Sequence, residues 1–241
     1  MRVVRLLVAP PLAAGLRQLD DAESHYLVSV LRRRRGDAVR VFDGTGRSAD
    51  AIVETADRRA CALHLEAPFA EDNESPLAVH LGLALLKGDR MDTALQKACE
   101  LGVARITPLV TARTEVRLDG KRLANKRRHW SEVLRNAAQQ SHRTALPTLD
   151  EPATFETFLA ARGDAPGYLM QPGAAAFEDG TPPPSGVLLL TGPEGGFDDT
   201  ELAVADAQGW QALGAGPRVL RAETAPLVGL TLLQLRWGDL R

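Results

Sequence analysis

The chain has 241 residues, 44% of them hydrophobic, and a formal net charge of −2. This length allows one large domain or two modest ones with a proper core. No apolar run approaches the roughly 20 residues a membrane helix needs, Arg5 and Pro10-Pro11 break the stretch where a signal peptide would be continuous, and Cys61 and Cys99 alone support neither a disulfide framework nor a four-cysteine zinc site. A cytoplasmic setting with no membrane is expected.

Residues 1–72 read as β-rich. Ala38-Val39-Arg40-Val41-Phe42 alternates, Asp43-Gly44-Thr45-Gly46 supplies turn chemistry, and alternation resumes over 49–53 and again over 60–65. Short strands at this spacing suggest a small barrel. A short helix is expected over 23–32, followed by Arg32-Arg33-Arg34-Arg35, which reads either as a solvated turn or as a phosphate-contact surface. The polar run Glu71-Asp72-Asn73-Glu74-Ser75-Pro76 is the expected linker.

From 77 to 241 strands alternate with helices, the pattern of a parallel α/β sheet. Strands are expected over 79–86, 106–110, 167–170, 187–190 and 217–220. One helix opens at Gly88-Asp89 with Asp89 as N-cap, buries Met91, Leu95, Ala98 and Leu101, and stops at Gly102. A long basic helix is expected over 121–140, and further helices over 199–208 and 225–237. The proline-rich stretch 174–185 reads as a flexible surface loop.

Charge is unevenly spread. Residues 113–143 hold nine Lys/Arg against three Asp/Glu, a local +6, and 150–210 hold eleven acids against one base, a local −10. Such asymmetry marks either a face for a polyanion or two solvated surfaces of opposite sign. The five histidines show no metal-ligand spacing, and none is assigned a metal; His64 and His80 fall in strands and read as structural.

Val187 to Leu190 run into Thr191-Gly192-Pro193-Glu194-Gly195-Gly196-Phe197, and a helix follows with Asp198 as cap and Glu201 three residues on. Strand, glycine turn and helix make a ligand site at the carboxyl end of a parallel sheet. There is no GxxxxGK[ST] and no GxGxxG. Glu194 and Asp198 place negative charge where a pyrophosphate would sit. A neutral or cationic ligand, such as an adenosine bearing a sulfonium, fits better; the alternative is a plain connection. A second crossing, Leu213-Gly214-Ala215-Gly216-Pro217-Arg218-Val219-Leu220-Arg221-Ala222-Glu223-Thr224-Ala225, has Thr224 as N-cap and Pro226 in the first turn.

Six stretches then line up with a known family: Lys87-Gly88-Asp89-Arg90; Gln96-Lys97-Ala98-Cys99-Glu100-Leu101-Gly102-Val103 with Ile106 and Pro108; Gln140-Ser141 with Arg143 and Pro147; Gly192 to Phe197 with Glu201; Arg218-Val219-Leu220-Arg221 with Glu223-Thr224-Ala225; and Gly238-Asp239. His25-Tyr26-Leu27, Val30-Leu31-Arg32 and Gly36-Asp37 match the N-terminal part. Over nearly its whole length the chain resembles the RsmE family of bacterial ribosomal RNA methyltransferases, in the SPOUT superfamily. Ala215, Ala222, Pro226 and Gln139 depart from the residues usual there.

The resemblance implies an α/β protein: a PUA-like β-barrel RNA-binding domain over 1–72, and a SPOUT α/β domain over 77–241 with a trefoil knot around a mainly parallel sheet. It implies a homodimer that transfers methyl from S-adenosylmethionine to N3 of one uridine in 16S rRNA, free or within the 30S subunit. The cofactor would lie against Leu169, Met170, Gln171 and Pro172; against Leu190, Thr191, Gly192, Pro193, Glu194, Gly195 and Gly196; and against Leu213, Gly214, Gly216, Val219, Leu220, Arg221, Thr224 and Ala225. Arg143 and Arg221 are the candidates for orienting the uracil or its phosphate by forked hydrogen bonds, and Glu223 for a base or an arginine partner. RNA contacts are expected from Arg32, Arg33, Arg34, Arg35, Lys87, Arg90, Arg113, Arg127, Arg128, His142 and Arg143. The rival readings are a non-catalytic RNA-binding protein of ribosome assembly and a nucleotide-dependent oxidoreductase; the missing dinucleotide fingerprint speaks against the second.

Overall fold

The structure, a computed structural model, describes residues 4–71, 73–116, 119–175, 183 and 186–240. Asp72 in the expected linker and most of the stretch 174–185 lie outside the described residues. The chain forms two compact units: Met1–Glu74 with Arg135–Leu146, and Ser75–Leu134 with Pro147–Arg241.

The first unit holds β1 (Val4–Leu7), β2 (Gly15–Gln18), α1 (Asp21–His25), a π-helical turn (Tyr26–Val30), β3 (Ala38–Phe42), β4 (Arg47–Thr55), β5 (Ala62–Leu65) and β6 (Phe69–Ala70). Its sheet runs β1-β3-β4-β5-β2, with β6 on β4. Only β1–β3 is parallel. The alternation read in the sequence sets the register: Val39 and Val41 are buried with Leu6, Val53, Leu63 and Leu65, while Arg40 points away and pairs with Asp50 at 2.8 Å. The β3–β4 turn is held by Asp43, whose Oδ1 accepts from the Thr45 amide and hydroxyl at 2.9 and 2.7 Å. Asp20 and Glu23 cap α1 reciprocally.

Residues 135–146 join this unit through specific bonds. The Leu7 amide donates to Gln139 Oε1 at 3.0 Å, and Arg143 donates to Glu74 Oε2 from Nε and Nη2 at 2.9 and 2.6 Å. Glu71 receives Arg5 on both oxygens at 2.9 Å and Ser48 at 2.6 Å. The Arg5 guanidinium holds this carboxyl at about 2, against the opposing effect of burial.

The second unit is a parallel sheet flanked by helices. It contains β7 (Val79–Ala84), α2 (Asp89–Glu100), β8 (Arg105–Val110), the start of α3 (Gly120–Ser141), β9 (Thr148–Leu149), β10 (Ala153–Thr154), α4 (Phe155–Ala160), β11 (Gly167–Met170), β12 (Val187–Thr191), α5 (Asp199–Ala207), β13 (Gln211–Leu213) and α6 (Ala225–Trp237). The order is β10-β8-β7-β12-β11-β13, with β9 on β8, and every pair is parallel. β11 and β12 are buried at every position, as strands covered on both faces are. Close packing demands small residues: a Cβ at Gly229 of α6 would come within 2.9 Å of Leu189 Cδ2 and Met170 Sδ. On the part of α3 in this unit, Trp130 and Leu134 are buried.

Two local expectations change. The fifth strand is Gln211–Leu213 rather than 217–220, because Leu213 is the last residue paired to β11; Gly216 then turns at φ 85° and Pro217 has no amide to give a neighbour. Helix α2 is capped by Gly88, not Asp89: the backbone enters at φ 58°, which glycine tolerates, so Asp89 becomes the first helical residue. Thr224 does occupy the N-cap of α6, but its side chain makes no capping bond.

Candidate functional site

The parallel order brings the turns after β12, β11 and β13 to one end of the second unit's sheet, where a cavity of about 310 Å³ opens. The turn after β11 contributes Met170, Gln171 and Pro172. The glycine turn contributes Gly192, Pro193, Glu194, Gly195 and Gly196, and the second crossing gives Gly216, Val219, Leu220 and Ala225. Of the other expected cofactor residues, Leu169, Leu190, Thr191 and Leu213 are buried strand residues behind this lining, and Gly214, Arg221 and Thr224 also lie off it. Sequence reasoning missed Phe197, Leu202, Ala215 and Ala222 as lining residues, although all four lie in or beside the glycine segments it had singled out. It also missed the two cations there, Arg113 (expected on RNA) and Arg218.

The glycine turn is shaped locally. Gly196 sits at φ 68°, and its amide donates to the Pro193 carbonyl at 2.9 Å. Asp198 and Glu201 make the expected capping box at 2.7 and 2.9 Å. Glu201 Oε1 also accepts from the Ala112 amide at 2.8 Å, and Arg113 Nη1 donates to the Gly195 carbonyl at 2.9 Å. The turn after β8 therefore holds the glycine turn in place.

The acids of the turn do not face the cavity as free charges, which corrects the electrostatic reading of the sequence. Asp198 is spent on its cap. Glu194 Oε1 accepts from the Lys87 amide and from Arg90 Nη1, both at 3.1 Å. Burial pushes the Glu194 carboxyl up, but these bonds together outweigh it and leave the group below its ordinary value. Glu223 Oε2 is buried and accepts no hydrogen bond among the described residues; Arg90 Nε lies 3.9 Å away. Thr191 Oγ1 is likewise buried without a partner.

The expected catalytic trio is not brought together within one unit. Arg221 is exposed, with no side-chain partner among the described residues, and stands two positions from Glu223 on the second crossing. Arg143 belongs to the first unit, is only 6% exposed and is forked onto Glu74. It reads as a structural tie rather than a group free to orient a base. The expected RNA contacts also divide. Arg32, Arg34, Arg35 and Arg128 are exposed and make no side-chain ion pair or hydrogen bond among the described residues. Arg33 donates from Nε to the Leu31 carbonyl at 3.0 Å and lies 3.9 Å from Asp37. Lys87 pairs with Glu115 at 2.6 Å, Arg127 with Glu151, and His142 takes the left-handed position that ends α3. Composition could not separate committed cations from free ones.

A parallel sheet carrying such a cavity at its carboxyl end is the frame of a ligand-binding α/β domain. Residues 73–234 match the RNA methyltransferase domain family, and residues 19–66 match the RNA methyltransferase PUA domain family. The chain belongs to the ribosomal RNA small subunit methyltransferase E family, with relatives in Synechocystis (36% identical, covering 94% of this chain and 75% of the relative) and Bacillus subtilis (30%, covering 91% and 90%). Among solved structures, the small subunit methyltransferase E of Neisseria gonorrhoeae bound to S-adenosylmethionine is 32% identical with a TM-score of 0.93. A Legionella pneumophila protein with its cofactor S-adenosylmethionine bound is 33% identical with a TM-score of 0.94; both comparisons cover 100% of each chain.

Proposed function

We propose that the protein transfers the methyl group of S-adenosylmethionine to N3 of one uridine in the 16S rRNA of the small ribosomal subunit. The cavity walled by the two glycine crossings carries the reading, together with relatives that bind this cofactor in the same fold. The lining fits such a ligand. Glycine backbone at Gly192, Gly195 and Gly196 lets a planar base approach closely and offers it N–H and C=O groups, Met170, Leu202 and Leu220 supply apolar wall, and Arg113 and Arg218 suit its amino-acid carboxylate.

When bound, S-adenosylmethionine supplies an electrophilic methyl group. The protein has to prepare the acceptor. Uridine N3 is a poor nucleophile until its proton leaves. Glu223, whose buried Oε2 accepts no hydrogen bond among the described residues, is the acceptor for that proton, and the Arg221 guanidinium, without a side-chain partner among them, stabilises the negative charge that develops on the uracil oxygens. Arg32, Arg34, Arg35 and Arg128 hold the RNA by its phosphates. We further read the first unit as the RNA-binding PUA-like barrel, the second as threaded by the trefoil knot of its superfamily, and the working form as a cytoplasmic homodimer. Incubation with small subunits lacking the modification, followed by mass spectrometry of the digested RNA, should place one new methyl group on uridine N3. A methyl on another atom, or none while S-adenosylmethionine binds, would refute this assignment.

A further inference from the structure

Arg90 is expected on sequence grounds to touch RNA, but its surroundings give it other work. It lies in the first turn of α2, just after β7, and β7 pairs with β12 from Val79↔Val187 to Leu83↔Thr191. The turn after β7 is thereby set beside the glycine turn after β12. Arg90 Nη1 reaches Glu194 Oε1 at 3.1 Å, and Arg90 Nε lies 3.9 Å from Glu223 Oε2. Glu194 belongs to the first crossing and Glu223 to the second. Among the described residues, no backbone hydrogen bond and no other side-chain bond joins residues 192–197 to 213–224. Arg90 is thus hydrogen-bonded to the acid of the first crossing and stands at ion-pair distance, without a hydrogen bond, from the acid of the second.

We propose that Arg90 is a positioning residue for the cofactor, tying the two crossings together and setting the gap between them. A planar fork with donors on two edges can engage both acids at once, whereas a lysine ammonium is a single point. The inference rests on the reading that S-adenosylmethionine occupies this cavity.

The experiment is calorimetric titration of S-adenosylmethionine into the intact protein, with thermal unfolding and RNA affinity measured on every variant. The unmodified protein comes first: absence of binding there defeats the cofactor reading itself, separately from the role of Arg90. Arg90→Ala should raise the cofactor Kd at least tenfold and leave RNA affinity within twofold. Arg90→Lys should fall between. Because Arg90 acts through Glu194, the Arg90→Ala/Glu194→Gln double variant should bind no worse than Arg90→Ala alone. Additive losses would overturn the proposal, as would an unchanged cofactor Kd with weakened RNA binding, which would make Arg90 a phosphate contact. Should Arg90→Ala fail to fold, Glu194→Gln and Glu223→Gln decide it: each should raise the cofactor Kd several-fold, and an unchanged Kd in both overturns the link.

Discussion

Gly196 offers a graded test of the cofactor cavity. Its φ of 68° lies in the left-handed region, and a Cβ built there meets nothing within 4 Å among the described residues. Alanine at 196 therefore clashes with none of them, and its cost is the backbone strain, about 1–2 kcal/mol. If the turn holds its shape the protein loses that stability, lowering Tm by roughly 2–8 °C at this chain length. If the turn relaxes instead, the binding geometry is lost by the same energy, and the Kd for S-adenosylmethionine rises about 5- to 30-fold. Valine adds a β-branch that left-handed backbone tolerates poorly and that projects into open space at the cavity, so Gly196→Val should exceed Gly196→Ala. Gly195 is the comparison. Its backbone is not left-handed, and the nearest atoms to a Cβ there are those of the Arg113 side chain, the first at 3.3 Å. Arg113 must give by a few tenths of an ångström, and because it also lines the cavity, Gly195→Ala should weaken cofactor binding too, but by less than Gly196→Ala does. Calorimetry on the three variants, with unfolding curves to confirm folding, reads the order directly. Native-like affinity in Gly196→Val, or a larger loss in Gly195→Ala than in Gly196→Ala, would refute the placement of the cofactor against this turn.

Acid should unfold the protein in two windows. His80 is held at about 4, first by burial and then by the nearby Arg105, so below its ordinary 6.5 the unfolded chain takes up a proton that the folded one refuses; stability falls from pH 6.5 to 4, and this slope should flatten in His80→Gln. Glu71, held at about 2 by Arg5, contributes stability above its ordinary 4.5 that is lost as pH falls from 4.5 towards 2, on the order of 1–3 kcal/mol, and Glu71→Gln should remove that window in denaturant titrations. Reversing Arg34 and Arg35 to glutamate should weaken RNA binding and flatten the log K against log salt slope by about 1.4 if each meets one single-stranded phosphate, with cofactor affinity unchanged. Arg143→Ala should cost about 1–2 kcal/mol of stability, visible in urea unfolding, because Glu74 Oε2 loses its donors while Oε1 keeps the Thr144 and Ala145 amides; a loss of turnover with unchanged stability would restore Arg143 to the catalytic group.

Features that depend on the neighbouring residues in the chain were legible in the sequence, and features that depend on who else arrives in space were not. The Asp198/Glu201 capping box, the Val39/Val41 alternation and the glycine turn after β12 are set by spacing alone, and spacing is visible in one dimension. The fifth strand was misplaced because Gln211-Ala212-Leu213 is too short and too polar at one end to signal itself; only its register on β11, with Leu213 opposite Met170, makes it a strand. The site's electrostatics failed for the same reason on a larger scale. Glu194 read as a free negative charge because Arg90 stands 104 residues away, and Arg143 read as a free positive one because Glu74 stands 69 residues away. A charged residue in a sequence shows a capacity for binding; its partner decides whether that capacity is still available. In this protein Glu74 takes up Arg143 and Glu194 takes up Arg90, and among the described residues Arg221 has no side-chain partner and Glu223 Oε2 accepts no hydrogen bond. Glu223→Gln should therefore lower kcat by about 10²–10⁴-fold, the range for losing a general base, while the cofactor Kd rises only several-fold through the lost Arg90 contact. Full turnover in Glu223→Gln would move the proton acceptor elsewhere, and the buried oxygen would then have only Arg90 to explain it.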